Sequence, residues 1–170
     1  MRVFLPAETV QARIRELGAE ISADYSDGAP LYLIGILKGA VIFLSDLSRA
    51  ITRSVRIEFM GISSYGKGKT SSGEVKVTKD LDTTIEGAHV LIVEDIVDSG
   101  VTLTYLTQLL RQRRPKSVNI ATLLDKPEHR LRPVEVKYVG FQIPDEFVVG
   151  YGLDFAEEYR NLPDVCILEG

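Results

Sequence analysis

The sequence predicts an α/β domain with a central, mostly parallel sheet flanked by helices. Two observations carry that prediction. The runs Leu31–Leu37 and Val90–Val93 are continuously apolar rather than alternating, the pattern of strands buried on both faces. Each run is followed by a Gly-bearing turn and then by apolar residues at helical spacing. These are Val41, Leu44 and Leu47 after the first run, and Leu103, Leu106, Leu109 and Leu110 after the second.

Composition narrows the function. The 170 residues suffice for one domain with a real core, and 45% hydrophobic with 26% charged residues is ordinary for a soluble globular protein. A formal charge of −4 gives no basic excess to suggest nucleic acid as the main partner. A lone cysteine, Cys166, allows no internal disulfide and points to a reducing compartment. No apolar run is long enough to span a bilayer, and residues 1–6 do not read as a signal peptide. The expectation is a cytoplasmic protein without a membrane partner.

Taken in order, residues 7–24 read as a packing helix, with Val10, Ile14, Leu17 and Ile21 on one face. The strand 31–37 ends abruptly in Lys38-Gly39, and a helix follows over residues 40–50. Lys38 reads equally as a solvated loop lysine or as a ligand cation. Val55, Ile57, Phe59 and Gly61 alternate with polar or larger residues, giving a strand over 55–62. The polar Gly/Ser-rich stretch Ser63–Gly73 is either an idle hairpin loop or a lid, since loops of that length in compact domains are often functional. Val75 and Val77 resume the alternation, and residues 81–87 connect to the central strand.

That strand leads into the stretch with the most chemistry. Glu94 and Asp95 stand where it should end, then Asp98-Ser99-Gly100 forms a polar turn, and a helix begins. A strand, a Gly-bearing turn and a helix start make an anion site. First-turn N–H groups lack partners, the dipole favours negative charge, and Gly100 permits close approach. Ser99 and Thr102 add hydroxyl donors. The plainer alternative makes Asp98 or Ser99 an N-cap and Gly100 turn filler. It leaves the paired carboxylates unexplained at the end of the strand where ligands sit in open α/β sheets. Asp98 opposes an anion, so it needs another task, such as proton transfer or binding a hydroxyl.

Beyond this helix, Arg111, Arg113, Arg114 and Lys116 complement its dipole, with a nucleic-acid patch the weaker reading. Residues 117–124 read as a strand ending in Asp125-Lys126-Pro127, where proline stops any continuation. His89 and His129 receive no role. Residues 135–140 form a short strand. The aromatic-rich stretch 141–162 fits neither period, and 165–168 forms a last strand.

The run Val90–Thr102 resembles the phosphoribosyl-diphosphate (PRPP) signature of type I phosphoribosyltransferases at every position: apolar strand, two acids, two apolar residues, Asp, small hydroxyl residue, Gly, any residue, Thr. Leu37-Lys38-Gly39 matches the family's diphosphate loop, in which the bond before the lysine is often a cis peptide, and Ser64-Tyr65 matches its closing lid. Ile143–Asp154 closely resembles the hood of hypoxanthine-guanine phosphoribosyltransferases. The resemblance spans the chain and implies a type I phosphoribosyltransferase fold: one domain over residues 1–170, a lid over about 63–79 and a small hood from about 126–170.

It also implies roles. Asp98, Ser99, Gly100, Val101 and Thr102 would grip the 5′-phosphate. Glu94 and Asp95 would bind the ribose hydroxyls and, with Asp154, lie at magnesium. Lys38, Gly39, Ser64, Tyr65 and Arg160 would meet the diphosphate. Lys126, Phe147 and the Val148 backbone would meet a 6-oxopurine, and Asp98 would exchange the N7 proton. The implied reaction transfers phosphoribose from PRPP to N9 of hypoxanthine or guanine and releases diphosphate, in a homodimer or homotetramer. The alternatives are an RNA-binding regulator of pyrimidine operons on the same fold, whose central loop lacks the acid at Asp98, and an enzyme for another base such as xanthine. A nucleotide-binding module without turnover fits the proton group at Asp98 poorly.

Overall fold

The computed structural model describes residues 1–64 and 75–169, with nothing of the Ser64 side chain. Thirteen elements follow one another, beginning with β1 (Arg2–Leu5), α1 (Ala7–Asp24), β2 (Leu31–Ile36), α2 (Val41–Ala50), β3 (Arg56–Ser64) and β4 (Val75–Lys79). After them come β5 (His89–Val97), α3 (Val101–Arg111), β6 (Ser117–Asp125), a 3-10 turn (Pro127–His129), β7 (Tyr138–Gln142), β8 (Val148–Val149) and β9 (Val165–Ile167).

Six strands form the main sheet in the order β4-β3-β2-β5-β6-β7. All its pairings are parallel except β3 with β4. β2 and β5 sit at its centre, and every residue of β2 is buried, as its unbroken apolar run predicts. Helices α1 and α2 cover one face, where Val10, Ile14, Leu17 and Ile21 join Phe43, Leu44 and Leu47 in one core. The second core contains Leu103, Leu106 and Leu110 of α3 against Ile34, Val90 and Ile92 of the sheet. The α/β expectation holds.

The strand limits differ in an informative way. β5 does not stop before Glu94; its ladder with β6 continues through Glu94↔Thr122 and Ile96↔Leu124 to Val97↔Asp125. A strand can carry carboxylates there because it projects beyond its neighbour β2, whose pairing with β5 ends at Gly35↔Val93. The last strand of the sheet is Tyr138–Gln142, shifted C-terminal to the expected 135–140.

A separate three-stranded sheet, β1-β9-β8, lies beside the main one. Residues 2–5, unassigned in the sequence reading, provide its edge strand by pairing antiparallel with β9. Tyr151, between β8 and β9 in sequence, donates its hydroxyl hydrogen to the Asp46 carboxylate on α2 and so fastens this region to the helical face.

Part of the basic cluster at the end of α3 is neutralised locally. Arg113 donates to both oxygens of Asp80 at 2.7 and 2.8 Å, and Lys116 pairs with Asp27 at 2.7 Å. His89, which receives no role from the sequence, bridges Asp27 at 2.8 Å and Ser117 at 2.6 Å.

The packing of α1 on α2 yields a test against helix propensity. Alanine favours a helix interior over glycine by about 1 kcal/mol. A Cβ at Gly18, however, would overlap the carbonyl and Cβ of Ala50. We expect Gly18→Ala to destabilise the fold by about 1–2 kcal/mol in urea unfolding, because overpacking outweighs propensity. A stabilised variant would contradict this packing.

Candidate active site

The carboxyl ends of β2, β5 and β6 open on one side of the main sheet, and the residues singled out by sequence gather around them. The turn after β2 contains a cis peptide between Leu37 and Lys38. Beyond it, a Cβ on Gly39 would fall within the Asp95 carboxylate, so only glycine lets the two strand ends meet as they do. A Cβ on Gly152, at φ +101°, would collide with the Gly39 carbonyl. Three segments distant in sequence therefore close on one residue without a side chain.

Charge is concentrated there. The Lys38 ammonium lies 2.9 Å from the Glu157 carboxylate, and Arg160 lies 3.4 Å from Asp154 and 3.7 Å from Glu157. Arg160 also donates to the Gly152 carbonyl at 2.7 Å, while its buried Nε has no partner among the described residues. Ala156, Glu157 and Tyr159 all adopt left-handed backbone angles, at φ +52°, +69° and +81°. Strain of that kind in non-glycine residues persists where the surroundings enforce it. Burial pushes the Asp95 carboxyl up to about 6, although the Ile96 N–H donates to it and Arg160 opposes the shift. Burial, and then the adjacent Asp95, raise Glu94 well above the carboxylate range. These are carboxylates poorly solvated without a ligand, and they can receive hydroxyl donors or a cation.

The second half of the site is the loop from β5 to α3. Gly100 is the N-cap residue, at φ +82°, and no side chain among the described residues caps the helix. The capping alternative is thus set aside: Ser99 Oγ receives only a long 3.4 Å contact from the Val101 N–H. The first turn keeps donors for an anion, with Val101 and Thr102 at its start. A cavity of about 190 Å³ lies over this loop, lined in part by Glu94, Asp98, Ser99, Gly100 and Thr102. The loop is held from outside, because the Ser99 carbonyl accepts from the N–H groups of Leu131 and Arg132 at 2.8 and 3.1 Å.

Asp98 reaches outward, its side chain 53% exposed, and Lys126 directly follows the end of β6. The Lys126 N–H donates to the Val97 carbonyl at 2.9 Å, and its buried ammonium lies 3.8 Å from Asp145. Phe147 follows Asp145, half exposed, with its ring edge-on to Phe155 at 5.7 Å between centroids. Val148, its neighbour, is buried in β8. Of the expected lid, Ser64 closes β3, while Tyr65 lies outside the described residues.

Three participants had gone unassigned. Arg130 donates to the Asp98 carbonyl at 2.9 Å and to the buried Asp125 carboxylate at 2.6 Å, locking the loop to the end of β6. His129 contacts Asp98 at 3.1 Å and Asp145 at 2.9 Å. Glu157 bridges toward the two cations. The only signal in the sequence was proximity to Lys126 or to Arg160, which states no contact.

The chemistry on offer is an anion cradle at a helix start, paired carboxylates for hydroxyls or a cation, two cations for a second anion, an exposed carboxylate and a buried ammonium. Similarity to known proteins agrees with it. A model of the phosphoribosyl transferase domain matches residues 5–156. The chain is 52% identical over 168 residues to the hypoxanthine-guanine phosphoribosyltransferase of Bacillus subtilis (strain 168), covering 99% of this chain and 93% of that protein. It is 53% identical over 172 residues to the enzyme of the same name from Mycobacterium avium, covering 98% and 85%. A crystal structure of a hypoxanthine phosphoribosyltransferase from Staphylococcus aureus superimposes with a TM-score of 0.95 at 51% identity, covering 98% of this chain and 90% of that one.

The burial of Asp95 has a signed consequence. Folded Asp95 keeps its proton to about pH 6, whereas an unfolded aspartate releases it near 3.9. Between those values the native state binds more protons, so stability falls as pH rises through the window and the penalty is complete above it. We expect Asp95→Asn to raise the melting temperature of the ligand-free protein at pH 7.5 by about 3 °C, roughly 1 kcal/mol after solvent screening. The gain should shrink as pH falls toward 4. Equal melting at pH 7.5 would show that the carboxylate carries no burial penalty.

Proposed function

The chain belongs to the phosphoribosyltransferase family, in its hypoxanthine-guanine branch, and we propose that it transfers phosphoribose from PRPP to N9 of hypoxanthine or guanine and releases diphosphate. The observation that supports the residue assignment is the hydrogen bond from the Lys126 N–H to the Val97 carbonyl, which joins the end of β6 to the residue preceding Asp98.

In this reading the backbone and hydroxyls of Asp98–Thr102 hold the 5′-phosphate at the uncapped start of α3. Glu94 and Asp95 accept hydrogen bonds from the ribose hydroxyls and so place C1′. Lys38, Gly39 and Arg160 receive the diphosphate, which must displace Glu157 from Lys38. The Lys126 ammonium donates to the six-position oxygen of the purine and selects against adenine, whose amino group is itself a donor. Phe147 stacks on the base, and Val148 meets its edge through the backbone. As the N9–C1′ bond forms, the bond from C1′ to the diphosphate breaks and its electron pair leaves with the diphosphate. Asp98 takes the N7 proton as base. The transition state has oxocarbenium character, so exclusion of water matters, and Ser64 and Tyr65 are assigned to the closing lid.

Magnesium fits the donor set in a limited way. Glu94, Asp95 and Asp154 offer the hard oxygen ligands it prefers, yet no group of three or more His, Cys, Asp or Glu among the described residues could cage an ion. These carboxylates would hold it jointly with substrate oxygens and water, and it would supply charge neutralisation for the departing diphosphate. We assign the enzyme to the cytoplasm, a reading supported by the buried free thiol of Cys166. A homodimer or homotetramer is supported by the apolar surface at α2 and β3, where Val41 and Ile57 stand 39% and 47% exposed.

The test is the split between binding and chemistry. We expect Asp98→Asn to lose turnover about 10²–10⁴-fold while PRPP binding survives. Lys126→Gln should mainly reduce kcat/KM for hypoxanthine, by about 10²-fold or more. Near-native turnover in Asp98→Asn would refute the base assignment.

A further inference from the structure

We propose that Arg130 is a positioning residue for phosphate binding: its guanidinium, anchored on Asp125, holds the Asp98 carbonyl outward, so that the loop from β5 to α3 presents its N–H groups to the phosphate. The inference rests on the assignment of that loop to the 5′-phosphate of PRPP.

Residues 126–132 run along one side of the loop and take up three successive carbonyls. The Lys126 N–H donates to the Val97 carbonyl at 2.9 Å, and the N–H groups of Leu131 and Arg132 donate to that of Ser99 at 2.8 and 3.1 Å. Between them, the Asp98 carbonyl accepts from Arg130 Nη1 at 2.9 Å. A planar trans peptide points its carbonyl and its N–H in opposite directions. The one cis bond among the described residues is Leu37–Lys38, so the loop peptides are trans. Fixing the carbonyls of Val97, Asp98 and Ser99 on residues 126–132 therefore turns the N–H groups of Asp98, Ser99 and Gly100 the other way. The N–H groups of Ser99 and Gly100 donate to no backbone carbonyl among the described residues. The cavity of about 190 Å³ over the loop has Glu94, Gly100 and Thr102 in its lining and none of residues 126–132, which puts it on the N–H side.

The two outer carbonyls are held by main-chain donors, and only the middle one depends on a side chain. A guanidinium suits that task because its fork offers separate nitrogens. Nη2 donates to the Asp125 carboxylate at 2.6 Å while Nη1 meets the Asp98 carbonyl. Asp125 closes β6 with its side chain 6% exposed, and that of Arg130 is 18% exposed, so water competes little for either group. The Arg130 stem also lies over the loop: a Cβ on Gly100 would stand 3.1 Å from its Cδ and 2.7 Å from the Arg132 carbonyl. Without the guanidinium, the peptide between Asp98 and Ser99 is free to rotate, and the Ser99 N–H turns from the ligand.

The experiment compares wild type, Arg130→Met and Arg130→Lys. It measures the Kd for inosine 5′-monophosphate by calorimetry, the melting temperature, and inhibition of turnover by diphosphate with magnesium present. Methionine keeps a stem over Gly100 and loses every donor. Its Kd for the nucleotide should rise about tenfold or more, the worth of one N–H bond to a charged group. Diphosphate, assigned to Lys38, Gly39 and Arg160, should inhibit as it does in wild type. Lysine keeps a cation beside Asp125 but has one nitrogen where two are used. Arg130→Lys should therefore melt near wild type and still lose nucleotide affinity about threefold or more. A merely structural role would make affinity follow melting temperature, so that Arg130→Lys binds like wild type. If Arg130→Met fails to fold, Arg130→Lys decides. Wild-type nucleotide affinity in a folded variant, or an equal loss of diphosphate inhibition, would overturn the proposal while leaving the transferase reading intact. A wild type that binds the nucleotide no better than inosine would overturn the assignment of the loop to the phosphate.

Discussion

The meeting of three chain segments at Gly39 is the constraint on which the site depends. The Asp95 carboxylate occupies the space a side chain would fill, and Gly152 packs against the carbonyl of the same residue. The turn after β2, the end of β5 and the loop beyond β8 are thereby drawn together, and with them come Lys38, Asp154 and Arg160. The cost is electrostatic. Glu94, Asp95, Asp154 and Glu157 share this region with two cations, and burial holds the carboxyl of Asp95 up to about 6. Such an arrangement is poorly satisfied by itself. It becomes reasonable when hydroxyl groups, a hard cation and a second anion enter and take up its unpaired donors and acceptors.

The two halves of the site are built differently. The phosphate half is local: a strand, three residues and a helix start make the cradle, and Gly100 supplies the left-handed turn that leaves the helix uncapped. The base half is assembled from afar. The parallel ladder of β5 and β6 brings the segments bearing Lys126 and Asp98 side by side, and Arg130, just beyond the 3-10 turn, donates to the Asp98 backbone carbonyl. A rigid cradle with a tethered proton group suits a reaction in which the sugar must be fixed while a proton moves on the base.

This difference explains what could be read from the sequence. α1, β2 and α3 were legible because periodicity is a local property, and the cores use the residues the pattern marks. The phosphate loop was legible for the same reason. The end of β5 was misjudged because polar residues usually mark a strand's end, whereas here the ladder with β6 holds Glu94 and Asp95 in the sheet. β1 went unseen because four residues at a chain end carry little pattern, and its strand character comes from pairing with the sequence-distant β9. His129 was beyond reach because its partners are Asp98 and Asp145, and no spacing rule states such contacts. The stretch 141–162 was assigned through family resemblance alone, since its left-handed turns follow no period.

The most direct test of the account is turnover with PRPP and magnesium, offering hypoxanthine, guanine, xanthine and adenine separately. The account predicts that hypoxanthine or guanine is converted to its nucleotide with release of diphosphate, while adenine is inert because Lys126 meets it donor to donor. Turnover of adenine at a comparable rate would contradict the role given to Lys126, and silence with all four bases would contradict the reading of the site as a purine phosphoribosyltransferase.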